Sequence, residues 1–153
     1  MIARHGTPPR AGVVYRRRPG AYAVLVRGAR LLLTVQQTPE GPDIQLPGGG
    51  IDPGESPIPA LLREVREETG HSARILRHLG GFREYTFMTD YGFHAEKVCN
   101  VYLGQVGLRL GAPSEPGHSD LWLRPQEALA VLPSPGGRRI LARWLAAGGI
   151  GRR

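Results

Sequence analysis

The chain has very little cysteine and no long apolar run. Cys99 is the only cysteine among 153 residues, so no intrachain disulfide can form. No apolar run approaches the roughly 18 residues of a membrane-spanning helix. The first twenty residues are polar and interrupted by proline, so they do not resemble a secretory signal. These absences exclude a disulfide-stapled fold, and we expect a cytoplasmic protein without a membrane partner.

Acidic side chains are missing from the beginning of the chain. Residues 1–18 contain five arginines and no acid, and Arg152 and Arg153 add two more positive charges. These seven arginines equal the whole net charge of +7. We therefore expect a flexible basic arm at 1–20, one folded domain at 21–148 and a short basic tail at 149–153. Both ends are expected to be solvated, with nucleic acid binding as the less favoured alternative.

Apolar and turn-forming residues predict an α+β fold. Hydrophobic residues make up 41% of the chain, while 22 glycines and 14 prolines imply many loops. A helical period over residues 57–69 begins after Ser56 and ends at Gly70. We expect a mixed sheet packed between helices. Strands are predicted at 21–27, 30–36, 44–46, 73–79, 82–88, 93–106 and 120–124, and further helices at 126–132 and 138–147.

Three glutamates on the predicted helix are candidates for a metal site. Glu64 lies three residues before Glu67 and four before Glu68, so the three side chains share one helical face. Hard cations such as Mg²⁺ take carboxylate oxygens and keep water and phosphate as their other ligands. A solvated charged face is the alternative for these glutamates taken alone.

A glycine run precedes this helix. Gly48, Gly49 and Gly50 let the backbone pass close to a helix face and direct peptide carbonyls at a bound ion. The run matches neither a P-loop nor a dinucleotide-binding fingerprint, because the residues after it lack the required pattern.

Loop and helix together resemble the Nudix box, G-x5-E-x7-R-E-U-x-E-E-x-G-U, where U is a bulky apolar residue. Gly49 begins the match, Glu55 follows after five residues, and Arg63 to Gly70 supply the rest. Eight of nine specified positions fit, and the departure is His71 at the last apolar position. Since that position normally packs, His71 affects local packing more than chemistry.

The resemblance implies a Nudix α/β/α sandwich that hydrolyses a nucleoside diphosphate linked to another moiety. Such substrates include a nucleoside triphosphate, a dinucleoside polyphosphate and a nucleotide sugar. The implied cofactor is Mg²⁺ or Mn²⁺. By position in the box, Glu67 and Glu68 are implied metal ligands, and Glu64 is a ligand or the base that activates water. A carbonyl of Gly48 or Gly49 completes the implied set, Arg63 orients the glutamates and Glu55 is its implied ion-pair partner.

Residues outside the box offer weaker candidates. Glu96 and Glu115 are candidates for an extra metal ligand or base, and Glu115, in a Gly/Pro loop, is the better candidate for a mobile catalytic carboxylate. Arg83 and Tyr85 are candidates for substrate binding through phosphate and base contacts. Glu84 alternates with Phe82 and Thr86 along a strand, and we expect it to face solvent.

Two alternatives to a pyrophosphohydrolase acting on small nucleotides stay open. One is a Nudix-fold regulator that binds a nucleotide without turnover, although all three box glutamates of the helix are present. The other is an RNA 5'-end pyrophosphohydrolase assisted by the arginine arm. A homodimer is compatible with the sequence, which contains no feature that decides it.

Overall fold

The structure is a computed structural model that describes residues 2–150. Arg152 and Arg153 of the expected basic tail lie outside the described residues. The strands are β1 (Ala3–Arg4), β2 (Arg16–Arg27), β3 (Arg30–Thr38), β4 (Gly41–Gln45), β5 (Gly48–Gly50), β6 (His71–Met88), β7 (Phe93–Arg109) and β8 (His118–Leu123). The helices are α1 (Pro57–Thr69), α2 (Pro125–Val131) and α3 (Pro135–Ala146).

The strands form one mixed eight-stranded sheet. Its main path runs β1-β6-β7-β2-β3-β4, with β5 paired to β2 and β8 paired to β3. The pairs β1·β6 and β2·β7 are parallel, and the other pairs are antiparallel. The pairing of β5 with β2 brings the glycine run into the centre of the sheet.

Each face of the sheet is covered by helix. Leu61 and Val65 of α1 pack on Ala21, Ala23 and Leu25. The opposite face carries a second core that includes residues of α2, α3 and the segment between them. Its members include Val24, Leu31, Leu33, Phe82, Leu132, Ile140, Leu141 and Trp144. The α/β/α sandwich with a mixed sheet, expected from the sequence, is confirmed.

Strand limits differ from the sequence expectation because pairing extends several strands. β2 begins at Arg16, inside the segment expected to form the arm, since residues 16–20 pair with β7. Residues 71–88 form one strand with register shifts where the sequence predicted two strands. Gly48–Gly50, expected to be loop, forms a short strand against β2.

Local signals account for the limits of α1. Ser56 is its N-cap residue, and Pro57 begins the helix. Gly70 ends it in the left-handed conformation, with φ at 73°, and its N–H donates to the Arg66 carbonyl. None of the three helices within residues 2–150 is long and apolar enough to cross a membrane.

Candidate active site

The polar face of α1 carries the box glutamates. Leu61 and Val65 are fully buried against the sheet, which fixes the rotation of the helix. Glu64 and Glu67 are half-buried, and Glu68 is 8% exposed. The helix therefore holds three carboxylates at its boundary with the sheet rather than in open solvent.

Arg63 lies at the centre of an ion-pair network. Its Nη2 lies 3.0 Å from Glu55 Oε1, and its Nε lies 3.2 Å from Glu55 Oε2. Its Nη1 lies 3.3 Å from both Glu64 Oε1 and Glu67 Oε2. The Asp52 N–H and the Arg63 guanidinium together hold the pKa of Glu55 below its usual range. Arg63 thus joins the loop before α1 to two glutamates of the helix.

Glu68 is the most buried of these carboxyl groups. Its Oε1 accepts a hydrogen bond of 2.9 Å from the Gly48 N–H, and its Oε2 lies 3.7 Å from His118 Nε2. Burial raises the pKa of Glu68 to about 8, and the Gly48 hydrogen bond offsets part of that shift. Gly48 has a φ of 143°, and a Cβ there would collide with the Ala21 carbonyl.

Glu64 is held directly under the glycine strand. A Cβ added at Gly49 would stand 3.0 Å from Glu64 Cδ, so only glycine leaves the carboxyl group in its present place. Burial raises the pKa of Glu64, while the charge of Arg63 lowers it.

The loop that carries Glu115 is attached to the end of α1. The N–H groups of Ser114 and Glu115 both donate to the Glu67 carbonyl at 2.9 Å. The charge of Glu115 contributes to raising the pKa of Glu64 and of Glu68. Four carboxylates, from Glu64, Glu67, Glu68 and Glu115, therefore share one region.

Glu96 and the two residues expected to bind substrate lie elsewhere. Glu96 accepts hydrogen bonds from Arg17 and from the Tyr85 hydroxyl, at 2.9 and 2.8 Å. Arg83 Nε donates to the Ile2 carbonyl. Because side chains alternate along a strand, Arg83 and Tyr85 point away from the sheet face of Phe82. Neither lines the cavity described below, and their binding of substrate stays a prediction.

A divalent cation fits the donor set of this region. Between Ile2 and Ile150, no group of three Asp, Glu, His or Cys side chains has its ligand atoms already placed around a single metal position. However, the charges of Glu64, Glu67 and Glu115 all raise the pKa of the buried Glu68, and Arg63 is the cation within 4 Å of Glu64 and Glu67. Hard oxygen donors with unbalanced negative charge suit Mg²⁺ or Mn²⁺.

A cavity of about 480 Å³ begins at Glu68. Gly48 and Glu68 line one part of it, and Phe82, Glu84 and Lys97 line another. Thr34 also lines it, and its buried hydroxyl has no hydrogen-bond partner within the described part of the chain. This volume is within the range of small-molecule sites.

Sequence reasoning missed the contributions of Glu84 and Lys97 to this cavity. Glu84, expected in solvent, is half-buried and accepts hydrogen bonds from Ser134 and Gly136. Lys97 lies between Ala95 and Cys99 at alternating positions, and both of those neighbours are buried. This alternation could have identified Lys97 from the sequence, since it places the lysine on the same strand face as two buried residues.

The box departure at His71 is a packing residue. The imidazole is 3% exposed, and its Nδ1 lies 2.8 Å from the Thr69 carbonyl. Its ring meets Trp122 edge to face, with the ring centroids 5.7 Å apart. His71 can therefore occupy the apolar position of the box, because its ring packs on Trp122 and its Nδ1 is hydrogen-bonded to the Thr69 carbonyl.

Comparison with known proteins agrees with this geometry. The family model described as NUDIX domain matches residues 16–145. The chain belongs to the Nudix family.

Individual relatives and solved structures share between a quarter and about two fifths of their aligned residues with this chain. The chain is 31% identical over 124 residues to the CMP-5'-(N-acetyl-N-hydroxy-3-aminopropyl)phosphonate hydrolase of Streptomyces rubellomurinus, covering 77% of this chain and 57% of that protein. It is 42% identical over 62 residues to an RNA pyrophosphohydrolase of Bartonella clarridgeiae, covering 40% and 35%. The chain thus spans about half or less of the lengths of these relatives. A solved NUDIX hydrolase from Nitrosomonas europaea matches with a TM-score of 0.69 and 25% identity, covering 86% and 90%.

Proposed function

We propose that the protein hydrolyses a pyrophosphate bond in a nucleoside diphosphate linked to another moiety, with Mg²⁺ or Mn²⁺ as cofactor. The observation that carries this proposal is the grouping of Glu64, Glu67, Glu68 and Glu115 in one region at the end of α1, where Glu68 lines a cavity of about 480 Å³. The name of the Streptomyces relative, which contains a CMP group linked to a phosphonate, supports the same class of substrate.

The carboxylates and the backbone of β5 would hold the cation. Glu67 and Glu68, with Glu64 and a carbonyl of Gly48 or Gly49, are the proposed ligands. A cation bound there supplies the positive charge that balances the pyrophosphate and makes its phosphorus more susceptible to attack. Carboxylates without a cation would repel the same group.

The protein's own residues would orient the reactants and move the proton. Arg63 restrains Glu64 and Glu67 through its pairing with Glu55, which limits their rotamers. Glu64 would accept the proton of the attacking water, because burial raises its pKa and its carboxyl group lies between Gly49 and Arg63. Glu115, on an exposed loop joined to α1, is the second candidate for that step.

A nucleotide panel tests the proposal. Nucleoside triphosphates, dinucleoside polyphosphates and nucleotide sugars are incubated with Mg²⁺ or Mn²⁺, and released phosphate, pyrophosphate and nucleoside monophosphate are measured. We expect metal-dependent release from at least one class, and the products identify the bond cleaved. Nucleotide binding without release of any product would instead support the alternative of a Nudix-fold regulator that binds a nucleotide without turnover.

An RNA 5' end is the second candidate substrate. Arg16 lies over the Phe93 ring at 4.6 Å, Arg18 lies over the Tyr91 ring at 5.1 Å, and Tyr91 is exposed. Arg18 also approaches Gly50 of β5. A basic and aromatic surface beside the box suits a single strand. If this candidate holds, deleting residues 1–15 and changing Arg16 to alanine will slow turnover of triphosphorylated RNA more than turnover of a mononucleotide.

A further inference from the structure

Glu84 and Lys97 form an unusual pair of opposite charges. They are partners in the register of β6 and β7, and both line the cavity. Yet no nitrogen–oxygen distance of 4.0 Å or less joins Lys97 to any carboxylate in residues 2–150. Charges placed opposite each other on a sheet normally pair, so other contacts must hold these two apart.

The position of Glu84 is fixed by α3. Its Oε1 accepts a hydrogen bond of 2.8 Å from the Ser134 hydroxyl and one of 3.0 Å from the Gly136 N–H, at the beginning of that helix. Its Oε2 accepts no hydrogen bond from any of the described residues. The carboxylate is thus oriented by one oxygen, and the second keeps its full capacity to accept.

Lys97 is positioned by an aromatic ring. It is the only lysine of the chain, and its Nζ lies 5.5 Å from the centroid of the Tyr22 ring. An ammonium group has three N–H donors, and contact with the Tyr22 side chain engages one of them at most. Lys97 therefore presents donors in the cavity in which Glu84 presents an acceptor.

The Glu84 carboxylate, an acceptor, and the Lys97 ammonium group, a donor, lie side by side, and together they restrict which ligand can bind. The edge of a nucleobase carries an N–H donor next to a carbonyl or ring-nitrogen acceptor. A phosphate group offers acceptors and negative charge, which Glu84 would repel. Tyr22, Phe82 and Met88 add apolar or aromatic surface to the same cavity, which suits a flat ring.

We propose that Glu84 and Lys97 read the edge of the substrate's nucleobase: Glu84 Oε2 accepts from an N–H of the base, and Lys97 Nζ donates to the adjacent acceptor. The pyrophosphate then extends toward Glu68, which lines the same cavity. The pair determines specificity and takes no part in the chemical step. This assignment rests on the proposed function, because it presumes a nucleotide substrate.

Kinetics on substrates with and without a nucleobase test the role of Glu84 and Lys97. Glu84→Gln and Lys97→Met are compared with the wild type on the four nucleoside triphosphates and on ribose 5-triphosphate. We expect kcat/KM for the nucleotides to fall about tenfold to a hundredfold, mainly through KM, because a buried charged partner is lost. The preference among the bases should flatten, while turnover of ribose 5-triphosphate should change less than twofold.

Glu40→Gln is the control for loss of one carboxylate, since Glu40 is exposed and does not line the cavity. Its base preference should stay that of the wild type. An equal loss on ribose 5-triphosphate for Glu84→Gln would show a structural role instead. Unchanged nucleotide kinetics in both cavity variants would also overturn the proposal.

A binding measurement separates this pair from the hydrolytic activity. Because Lys97 is the only lysine, acetylation with an amine-directed reagent can be followed at one side chain by mass spectrometry. We expect a nucleoside monophosphate, without metal, to slow acetylation at least about fivefold, and ribose 5-phosphate to slow it much less. Glu84→Gln should abolish the difference. Protection in a protein that hydrolyses nothing would support the pair and reject the hydrolase, while equal protection by both compounds would reject the pair.

Discussion

Gly49 lies directly against the carboxyl group of Glu64. A Cβ at Gly49 would stand 3.0 Å from Glu64 Cδ, 3.1 Å from Oε1 and 3.3 Å from Oε2. The box glycine and a box glutamate, fifteen positions apart in sequence, are therefore in contact because β5 pairs with β2 while α1 packs on the same sheet. A side chain at position 49 has room only if the carboxyl group moves.

Gly49→Ala should therefore weaken metal affinity more than stability. The added methyl group displaces Glu64, and we expect the Mg²⁺ concentration for half-maximal rate to rise about tenfold, with the melting temperature lowered by only a few degrees. Gly111→Ala is the matched control, because its Cβ meets nothing within 4 Å. Identical metal titration curves for the two variants would contradict this.

Local sequence signals are sufficient to predict the limits of α1 and the residues that contact one another within the Nudix box. The helical period, Ser56, Pro57 and Gly70 define both ends of the helix. Contacts made within the box, such as that of Arg63 with Glu55, join residues eight positions apart. Such short separations can be judged from spacing alone.

The rest of the site depends on pairings that spacing does not specify. Glu84 reaches Ser134 across fifty residues, and this contact needs both the position of α3 and the register of β6. Their chemistry alone predicts substrate binding by Arg83 and Tyr85, but strand alternation directs both side chains to the sheet face opposite that of Glu84. The same limit applies to β2, whose beginning at Arg16 depends on parallel pairing with β7.

Removal of one box carboxylate should reduce metal binding. We expect Glu67→Gln and Glu68→Gln to lose most turnover at limiting Mg²⁺ while each remains folded, since Glu67 is only half-buried and an amide oxygen at position 68 can still accept from the Gly48 N–H. Calorimetric titration with Mn²⁺ measures the affinity, and Glu40→Gln, in the exposed turn after β3, is the control for loss of one charge. Wild-type metal affinity in Glu67→Gln would argue against the assigned ligand.

Arg63→Lys should lower kcat about tenfold to a hundredfold with little loss of stability. Lysine cannot reproduce the fork that contacts Glu55, Glu64 and Glu67 together. The Arg63 side chain is 38% exposed, so the ion pairs contribute little to the free energy of unfolding. Arg66→Lys, on the exposed side of the same helix, is the control, and equal rates for the two variants would show that the fork is dispensable.

Cys99 should reduce stability at alkaline pH. Burial raises the pKa of its thiol to about 11 from an unfolded value of 9.0. Between these values the unfolded chain releases a proton that the folded protein retains, so stability falls as pH rises. We expect the difference in unfolding free energy between wild type and Cys99→Ala to shift by about 1 kcal/mol in favour of the variant between pH 8 and pH 10. Urea denaturation measures it, and parallel pH profiles would refute the burial effect.

The roles of Glu64 and Glu115 can be separated by kinetics. Both bear on the same cluster, but Glu64 is half-buried on a helix while Glu115 is exposed on a loop. If Glu64 only binds metal, raised Mg²⁺ should restore the rate of Glu64→Gln. If it also accepts the water proton, saturating metal cannot help, because the amide is no base, and loss of a general base costs roughly 10²–10⁴ in rate.

We expect the combined role for Glu64. Glu64→Gln should stay severely slow at saturating Mg²⁺, whereas Glu115→Gln should lose less than about tenfold, since the Glu115 side chain is exposed on a loop. The measurement is kcat for both variants across a Mg²⁺ titration, with folding checked by circular dichroism. A near-normal rate for Glu64→Gln together with a collapse for Glu115→Gln would transfer the role of base to the loop.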